Sequence, residues 1–375
     1  MDPSSPTRTT MAEYHYTVAS DSETSVEDKQ QSSLDIAIGI DIGTSHCRIA
    51  VWNHGLVELV KDMPSYVLLK DDSPESTIQN VAYNEEEILS GSAIFNLKRL
   101  IGRMDTDPVV HASKTLPFLV QTLDIGGRPF IATLENNVWR SRTPEELLAS
   151  LFWKLKGILE VHLMCSIRNV VLTVPVSFNR IQLTRIERAC AMAGLYILRL
   201  MPEPTAVALL YAQQLKQLSS HENIGNVGEK KALIFNMGAG YCDVAVIAVD
   251  QGISQIMAFS GSTLGGEDIL QNVLHLLVPN FDSFFSSRSV DKIRALGILR
   301  IATQDAIDRL SSQTSVPIDV DIGDGTKILR DLDRSEFEEN SFPTPPRQLC
   351  VAFGRIGRDL RVLAAMRLGE VMPVV

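Results

Sequence analysis

Long apolar runs are missing from this chain of 375 residues. Nothing near the N-terminus has the apolar centre of a secretory leader, and no run approaches the roughly 18 residues that a bilayer-spanning helix requires. Membrane insertion is therefore not expected. Cysteine is scarce as well. Cys47, Cys165, Cys190, Cys242 and Cys350 are five in number, odd and without metal-ligand spacing, which argues against a disulfide framework or a zinc site and for reduced structural thiols of an intracellular protein. Positive charge is in deficit, with 35 Lys and Arg against 45 Asp and Glu and a formal net charge of −10. That balance argues against broad binding to nucleic acid or to an anionic membrane, and leaves room for a local cationic phosphate site. Residues 1–33 hold a single arginine, Arg8, against Glu13, Asp21, Glu23, Glu27 and Asp28. An organelle transit peptide would show the reverse. The segment reads as a disordered extension rich in Ser, Thr and acids, and the expected compartment is the cytosol, with nuclear access.

What the chain does have is an internal repeat. Ile38-Gly39-Ile40-Asp41-Ile42-Gly43-Thr44-Ser45-His46-Cys47-Arg48 is echoed by Leu233-Ile234-Phe235-Asn236-Met237-Gly238-Ala239-Gly240-Tyr241-Cys242-Asp243. Each copy reads as a strand, a tight turn and a returning strand. An acidic or amide residue, a Gly two positions on, and small residues at the bend suit a hairpin that cradles phosphate: Gly admits close approach of backbone N–H groups, and a carboxylate can hold a hydrated Mg²⁺. Two such hairpins face to face would form a nucleotide clamp. The second copy carries Asn236 where the first has Asp41, so one half of the clamp lacks a charge.

The surrounding pattern is that of a duplicated α/β unit. Strands are expected over Leu34–Asp41, Arg48–Trp52 and Leu56–Val60, with a turn at Asn53-His54-Gly55, and a hairpin is expected between Val120 and Thr133. Thr143-Pro144-Glu145-Glu146 is a capping box that opens an amphipathic helix through Leu163. Strand Asn169–Val176, helix Arg180–Met192, strand Leu195–Leu200 and helix Glu203–Leu215 follow, and helices at Ile269–Leu277 and Asp291–Leu310 suggest a helical subdomain. The expected division is 1–33 as extension, 34–230 as a first lobe with a β-rich insertion, 231–340 as a partial second lobe, and 341–375 as a divergent tail. That tail has five arginines, no lysine, and Pro343, Pro345 and Pro346. It offers no strand alternation, and any helix in it would lie within about residues 357–368.

Five short runs occur in a fixed order: Gly39 to Thr44, Lys98-Arg99-Leu100-Ile101-Gly102-Arg103, Val174-Pro175, Glu203-Pro204-Thr205-Ala206 and Leu264-Gly265-Gly266-Glu267-Asp268. As a set they resemble the nucleotide-binding domain of the seventy-kilodalton heat-shock chaperones, the DnaK type, over about Asp35 to Glu339. The resemblance implies an actin-like ATPase fold with duplicated lobes around a nucleotide, ATP or ADP, with Mg. It further implies that Asp41, Glu203 and Asn236 hold the metal through water. Gly43, Thr44 and Ser45 would line one phosphate loop, and Gly238, Gly240, Gly265, Gly266 and Glu267 the opposite side. Lys98 would contact the terminal phosphate and the attacking water, with Glu203 and Asp41 as its catalytic companions. J-domain cochaperones and nucleotide-exchange factors are the implied partners.

The chain also departs from that pattern. The family has Asp at the place of Asn236, Gly at Ala239 and Thr at Tyr241, so a charge and a hydroxyl are replaced and the Tyr241 phenol is expected to crowd the loop. With each lost contact worth about 1–4 kcal/mol, hydrolysis is expected to fall by one to several orders of magnitude. At the adenosine side the family's Lys, Arg and Ser appear as Ile307, Asp308 and Ser311, with Arg309 one position away. Pro175 matches a proline used for communication between domains, but its partner Arg appears as Leu183. The expected end of the match near Glu339 implies an incomplete second lobe, an open strand edge, a C-terminally truncated chain and no peptide-binding part. The expectation is a weak Mg-dependent ATPase at best, from a family that assists protein folding. A non-catalytic protein that sequesters cochaperones is the alternative. A sugar kinase of the same superfold would need a sugar-facing base between the lobes, and no residue offers one.

Overall fold

The computed structural model describes residues 38–53, 56–68, 88, 93–123, 126–135, 138–221, 229–286, 289–322, 325–341 and 370–374. The extension 1–33, part of the turn at residues 53–55 and the possible helix at 357–368 lie outside them. The first lobe opens with an antiparallel meander, β1 (Ile38–Ile42), β2 (His46–Asn53) and β3 (Leu56–Pro64). Short strands β4 (Val67–Leu68) and β5 (Ala93–Ile94) pair with each other. One-turn helix α1 (Leu97–Leu100) and helix α2 (Pro108–Ala112) lead to a three-stranded antiparallel sheet of β6 (Leu119–Thr122), β7 (Pro129–Glu135) and β8 (Val138–Arg142). Then come α3 (Pro144–Leu163), β9 (Asn169–Val174), α4 (Arg180–Met192) and β10 (Tyr196–Pro202), whose parallel strands extend the meander into a sheet of order β10-β9-β1-β2-β3.

Helix α3 starts where the capping box requires. The Glu146 N–H donates to Thr143 Oγ1 at 3.3 Å, and the Thr143 N–H donates back to Glu146 Oε2 at 2.7 Å. Its apolar stripe, Leu147, Leu148, Leu151, Phe152, Leu155 and Leu159, is buried against the sheet. Each such side chain stabilises the lobe by about 1.5–3 kcal/mol relative to exposure. Helix α4 has a second capping box, Asn179 with Gln182, and Gly194 follows it at φ 72°, where a side chain would be strained.

The second lobe repeats the plan. Helix α5 (Glu203–His221) precedes an antiparallel meander of β11 (Lys230–Met237), β12 (Cys242–Asp250) and β13 (Ile253–Ser262). Although α5 falls within the expected span of the first lobe, its Ala208, Tyr211 and Ala212 pack on Ala232, Ile234, Ala245, Ile247 and Val249 of the second sheet. Helices α6 (Gly266–Leu277), α7 (Phe281–Phe284) and α8 (Val290–Leu310), hairpin β14 (Ser315–Asp321) with β15 (Lys327–Asp333), and α9 (Arg334–Ser341) form the helical subdomain around their own core of Leu274, Leu296, Leu299, Val316 and Leu332. Strand β13 and the β14/β15 hairpin add to the elements read from the sequence.

The duplication extends to hydrogen bonding. Asp41 lies opposite Arg48 and Asn236 opposite Asp243, and each turn is closed by a 2.9 Å bond, Gly43 N–H to His46 O and Gly238 N–H to Tyr241 O. The open edge expected at the end of the second lobe lies one strand further out than β11. Strand β16 (Glu370–Val374) runs parallel to β11 from Ala232↔Glu370 to Asn236↔Val374, the place that β9 takes beside β1. Pro373 has no N–H to give a further neighbour, and it sits where proline is tolerated, in the outermost strand of the sheet order β13-β12-β11-β16.

Candidate functional site

The two repeated turns meet face to face. A methyl group on Gly240 would drive into Thr44 Oγ1, and one on Gly265 would come within 2.6 Å of Gly240 N, so the absence of side chains here is what allows the first turn, the second turn and the start of α6 to touch. The α6 terminus is stitched to the second turn by Gly266 N–H to Gly238 O at 3.1 Å and Glu267 N–H to Ala239 O at 2.8 Å. The N–H groups of Thr44, Ser45, Ala239 and Gly240 have no hydrogen-bond partner among the described residues. Four backbone donors are thus concentrated on two adjoining turns, an arrangement suited to anionic oxygen.

Beneath the turns lies a polar cluster. Lys98, on α1, donates to Glu203 Oε1 at 2.7 Å, and Asn236 Nδ2 donates to Glu203 Oε2 at 2.8 Å. Asn236 turns its nitrogen inward because an amide oxygen facing a carboxylate would be repelled. Asp41 accepts a short hydrogen bond from the Thr173 hydroxyl of β9. Lys98 is 4% exposed. Burial pulls its pKa down, but Glu203 and Asp41 outweigh that and hold the ammonium above its usual range. The sequence-predicted Lys98, Glu203 and Asn236 are therefore joined in one chain of hydrogen bonds, with Asp41 beside them.

A buried carboxyl near this cluster that sequence reasoning left out is Asp243. It is 1% exposed and receives the Val176 N–H at 3.1 Å. Burial, then the nearby Glu203 charge, push its carboxyl up to about 7, against the pull of the Val176 N–H and Lys98. Its position in the repeat was the available signal, since it lies directly across from Asn236 as Arg48 does from Asp41.

Tyr241 does not crowd the loop as expected. Its side chain leaves the second turn and enters the core of the first lobe, 5% exposed, edge-on to Phe178 at 5.6 Å. Its hydroxyl donates to the Lys98 carbonyl at 3.1 Å, Arg103 reaches it at 3.4 Å, and the Lys98 ammonium stands 5.7 Å above the ring. Arg99 joins the lobes a second time through a bidentate pair with Asp268, at 2.6 and 2.9 Å.

A cavity of about 440 Å³ opens beside the turns, lined among others by Thr44, Ser45, Ala239, Gly266, Glu267 and Arg300. Gln304 and Asp308 also line it, whereas Ser311 stands apart, exposed at the end of α8. Arg309 reaches back to Asp305 of its own helix and Ile307 packs on the helical core. Arg300 pairs with Glu267 at 2.8 Å with both side chains buried, and its Nη1 has no partner among the described residues. Burial raises the Glu267 pKa, but Arg300, with Arg99 and Asn96, brings it below the usual carboxylate range. Leu183 lies against the first-lobe core.

A hydrated Mg²⁺ presents donors, its water protons, and needs acceptors around it. Here both Glu203 oxygens already accept protein hydrogens, Asn236 offers N–H, and one Asp41 oxygen is taken by Thr173. Among the described residues no three His, Cys, Asp or Glu side chains gather as metal ligands. The second Asp41 oxygen, Asn236 Oδ1 and the remaining lone pairs of Glu203 could still accept from metal-bound water, so the residues fit a hydrated ion with one carboxylate charge fewer.

The family model described as Hsp70 protein matches residues 37–343. The chain belongs to the Hsp70 family. Its fold is accordingly the actin-like ATPase fold, in agreement with two meander sheets joined by matching turns. This Hsp70-family chain is 58% identical over 339 residues to "Heat shock 70 kDa protein 8" of Arabidopsis thaliana, covering 88% of this chain and 58% of that protein. It is 33% identical over 312 residues to "Heat shock 70 kDa protein" of Neurospora crassa, covering 81% of this chain and 46% of that one, and 32% identical to "Heat shock cognate 70 kDa protein 3" of Dictyostelium discoideum, covering 81% and 48%. The chain thus spans about half the length of these relatives. No helix among the described residues is long and apolar enough to cross a membrane.

Proposed function

We propose that this chain is an ATP- and ADP-binding chaperone ATPase domain of the Hsp70 type, with slow hydrolysis. The reading rests above all on the paired turns and their unpartnered N–H groups at Thr44, Ser45, Ala239 and Gly240. Phosphates bound there would lie over Lys98, whose charge is secured by Glu203 and Asp41. Phosphoryl transfer to water depends on positioning and charge neutralisation. Lys98 supplies charge and Glu203 orients Lys98, while Asn236 supplies an amide oxygen but no charge. The cavity lined by Gln304 and Asp308 is the place for the nucleoside, without the cationic side chains of the family pattern.

J-domain cochaperones and nucleotide-exchange factors are the partners, and the cytosol is the compartment, that this reading implies. Titration calorimetry of the full chain with ATP and ADP tests it. Micromolar affinity supports the clamp, and absence of heat from a folded sample refutes it.

A further inference from the structure

One residue of the second turn has its side chain in the first lobe. The Tyr241 carbonyl closes the turn by accepting the Gly238 N–H at 2.9 Å, while the Tyr241 ring is packed against Phe178 in the first-lobe core. We infer that Tyr241 is a positioning residue for Lys98, tying the cation of the first lobe to the phosphate-facing turn of the second so that the ammonium meets the terminal phosphate of a triphosphate; the inference rests on the nucleotide reading above.

Three observations carry it. Lys98 lies in a helix of a single turn, too short for a helical ladder to hold its carbonyl, and the Tyr241 hydroxyl donates to that carbonyl at 3.1 Å. The ammonium is fixed separately, by Glu203 at 2.7 Å and over the Tyr241 ring at 5.7 Å, so Lys98 is held at both its main chain and its side-chain tip. Arg103, itself paired with Asp107, approaches the phenol oxygen at 3.4 Å and steadies it. Next, Gly240 directly precedes Tyr241 and carries one of the unpartnered N–H donors, so a displacement of Tyr241 would move a phosphate donor and the cation together. Finally, the first half of the repeat has no such strut. His46, which closes the first turn as Tyr241 closes the second, is exposed and meets the neighbouring Ser45. Because Lys98 is the cation assigned to the terminal phosphate, loss of its alignment weakens a triphosphate more than a diphosphate.

The test is calorimetry on the full chain with ADP and with the β,γ-imido analogue of ATP, for the wild type, Tyr241→Phe, Lys98→Met and the double variant. Phenylalanine keeps the ring in the core and removes only the hydroxyl. Tyr241→Phe is expected to raise the Kd of the triphosphate analogue about fivefold or more and that of ADP less than about twofold, and to change neither by more than about twofold when Lys98 is already Met. Equal losses for both nucleotides, no loss for either, or the same loss with and without Lys98 overturn the inference and leave the nucleotide reading standing. Absence of binding of both nucleotides by folded wild type overturns that reading and the inference with it. If Lys98→Met fails to fold, the contrast between the two nucleotides in Tyr241→Phe decides by itself.

Discussion

Asp243→Asn isolates the effect of one buried carboxyl. In the folded chain this group titrates at about 7, against 3.8 for an ordinary aspartate, because burial and the Glu203 charge oppose its ionisation. An acid whose pKa rises on folding binds more protons folded than unfolded. Its contribution is most favourable at pH values below the ordinary one, and is lost as pH climbs through the folded one. Between about pH 5 and pH 8 the loss is on the order of 2–3 kcal/mol by proton linkage. Asparagine has no charge to bury and can keep the Val176 N–H on its amide oxygen. Urea unfolding of wild type and variant across that range provides the assay. The variant is expected to gain on the wild type steadily as pH rises, with the two closest at the acid end. A stability difference that stays flat from pH 5 to pH 8 would refute the assignment, because an ordinary aspartate is fully ionised over nearly all of that range in both states.

Three further outcomes are expected. Tyr241→Thr withdraws a ring from between Phe178 and Lys98 and should lower stability by about 3–5 kcal/mol in urea unfolding, as for other large-to-small core changes; a loss under about 0.5 kcal/mol would place the ring outside the core. Glu267→Ala leaves the buried Arg300 guanidinium without its carboxylate. The expected cost is about 3–5 kcal/mol, read from the urea midpoint, with Arg300→Met in the same background recovering part of it. Thr143→Ala removes the cap of α3, with an expected loss of about 1 kcal/mol in the same assay.

Features whose determinants lie within a few residues were legible beforehand. The Thr143 cap, helix α4 over Arg180–Met192 and the two turns occur where their residues suggested, because caps and tight turns are set by neighbours along the chain. Helix α5 runs on to His221, beyond the expected Leu215. The candidate site was legible as a set of residue types. It was not legible as a pattern of bonds. Nothing local announces that Glu203 is bonded by both Lys98 and Asn236, or that Asp308 lines the cavity while Ser311 stands outside it.

The sequence alone determined the family, the duplicated motif and the loss of charge at Asn236, because these are matters of residue identity and short spacing. Tertiary structure decided which way Tyr241 turns, how Asn236 spends its amide and where β11 finds its outer neighbour. The partners concerned are far apart in the chain: Lys98 and Glu203 by 105 positions, Tyr241 and the Lys98 carbonyl by 143, Arg99 and Asp268 by 169. Contacts of that reach form only when the two lobes close on each other, and burial then sets the cost of every polar group left between them.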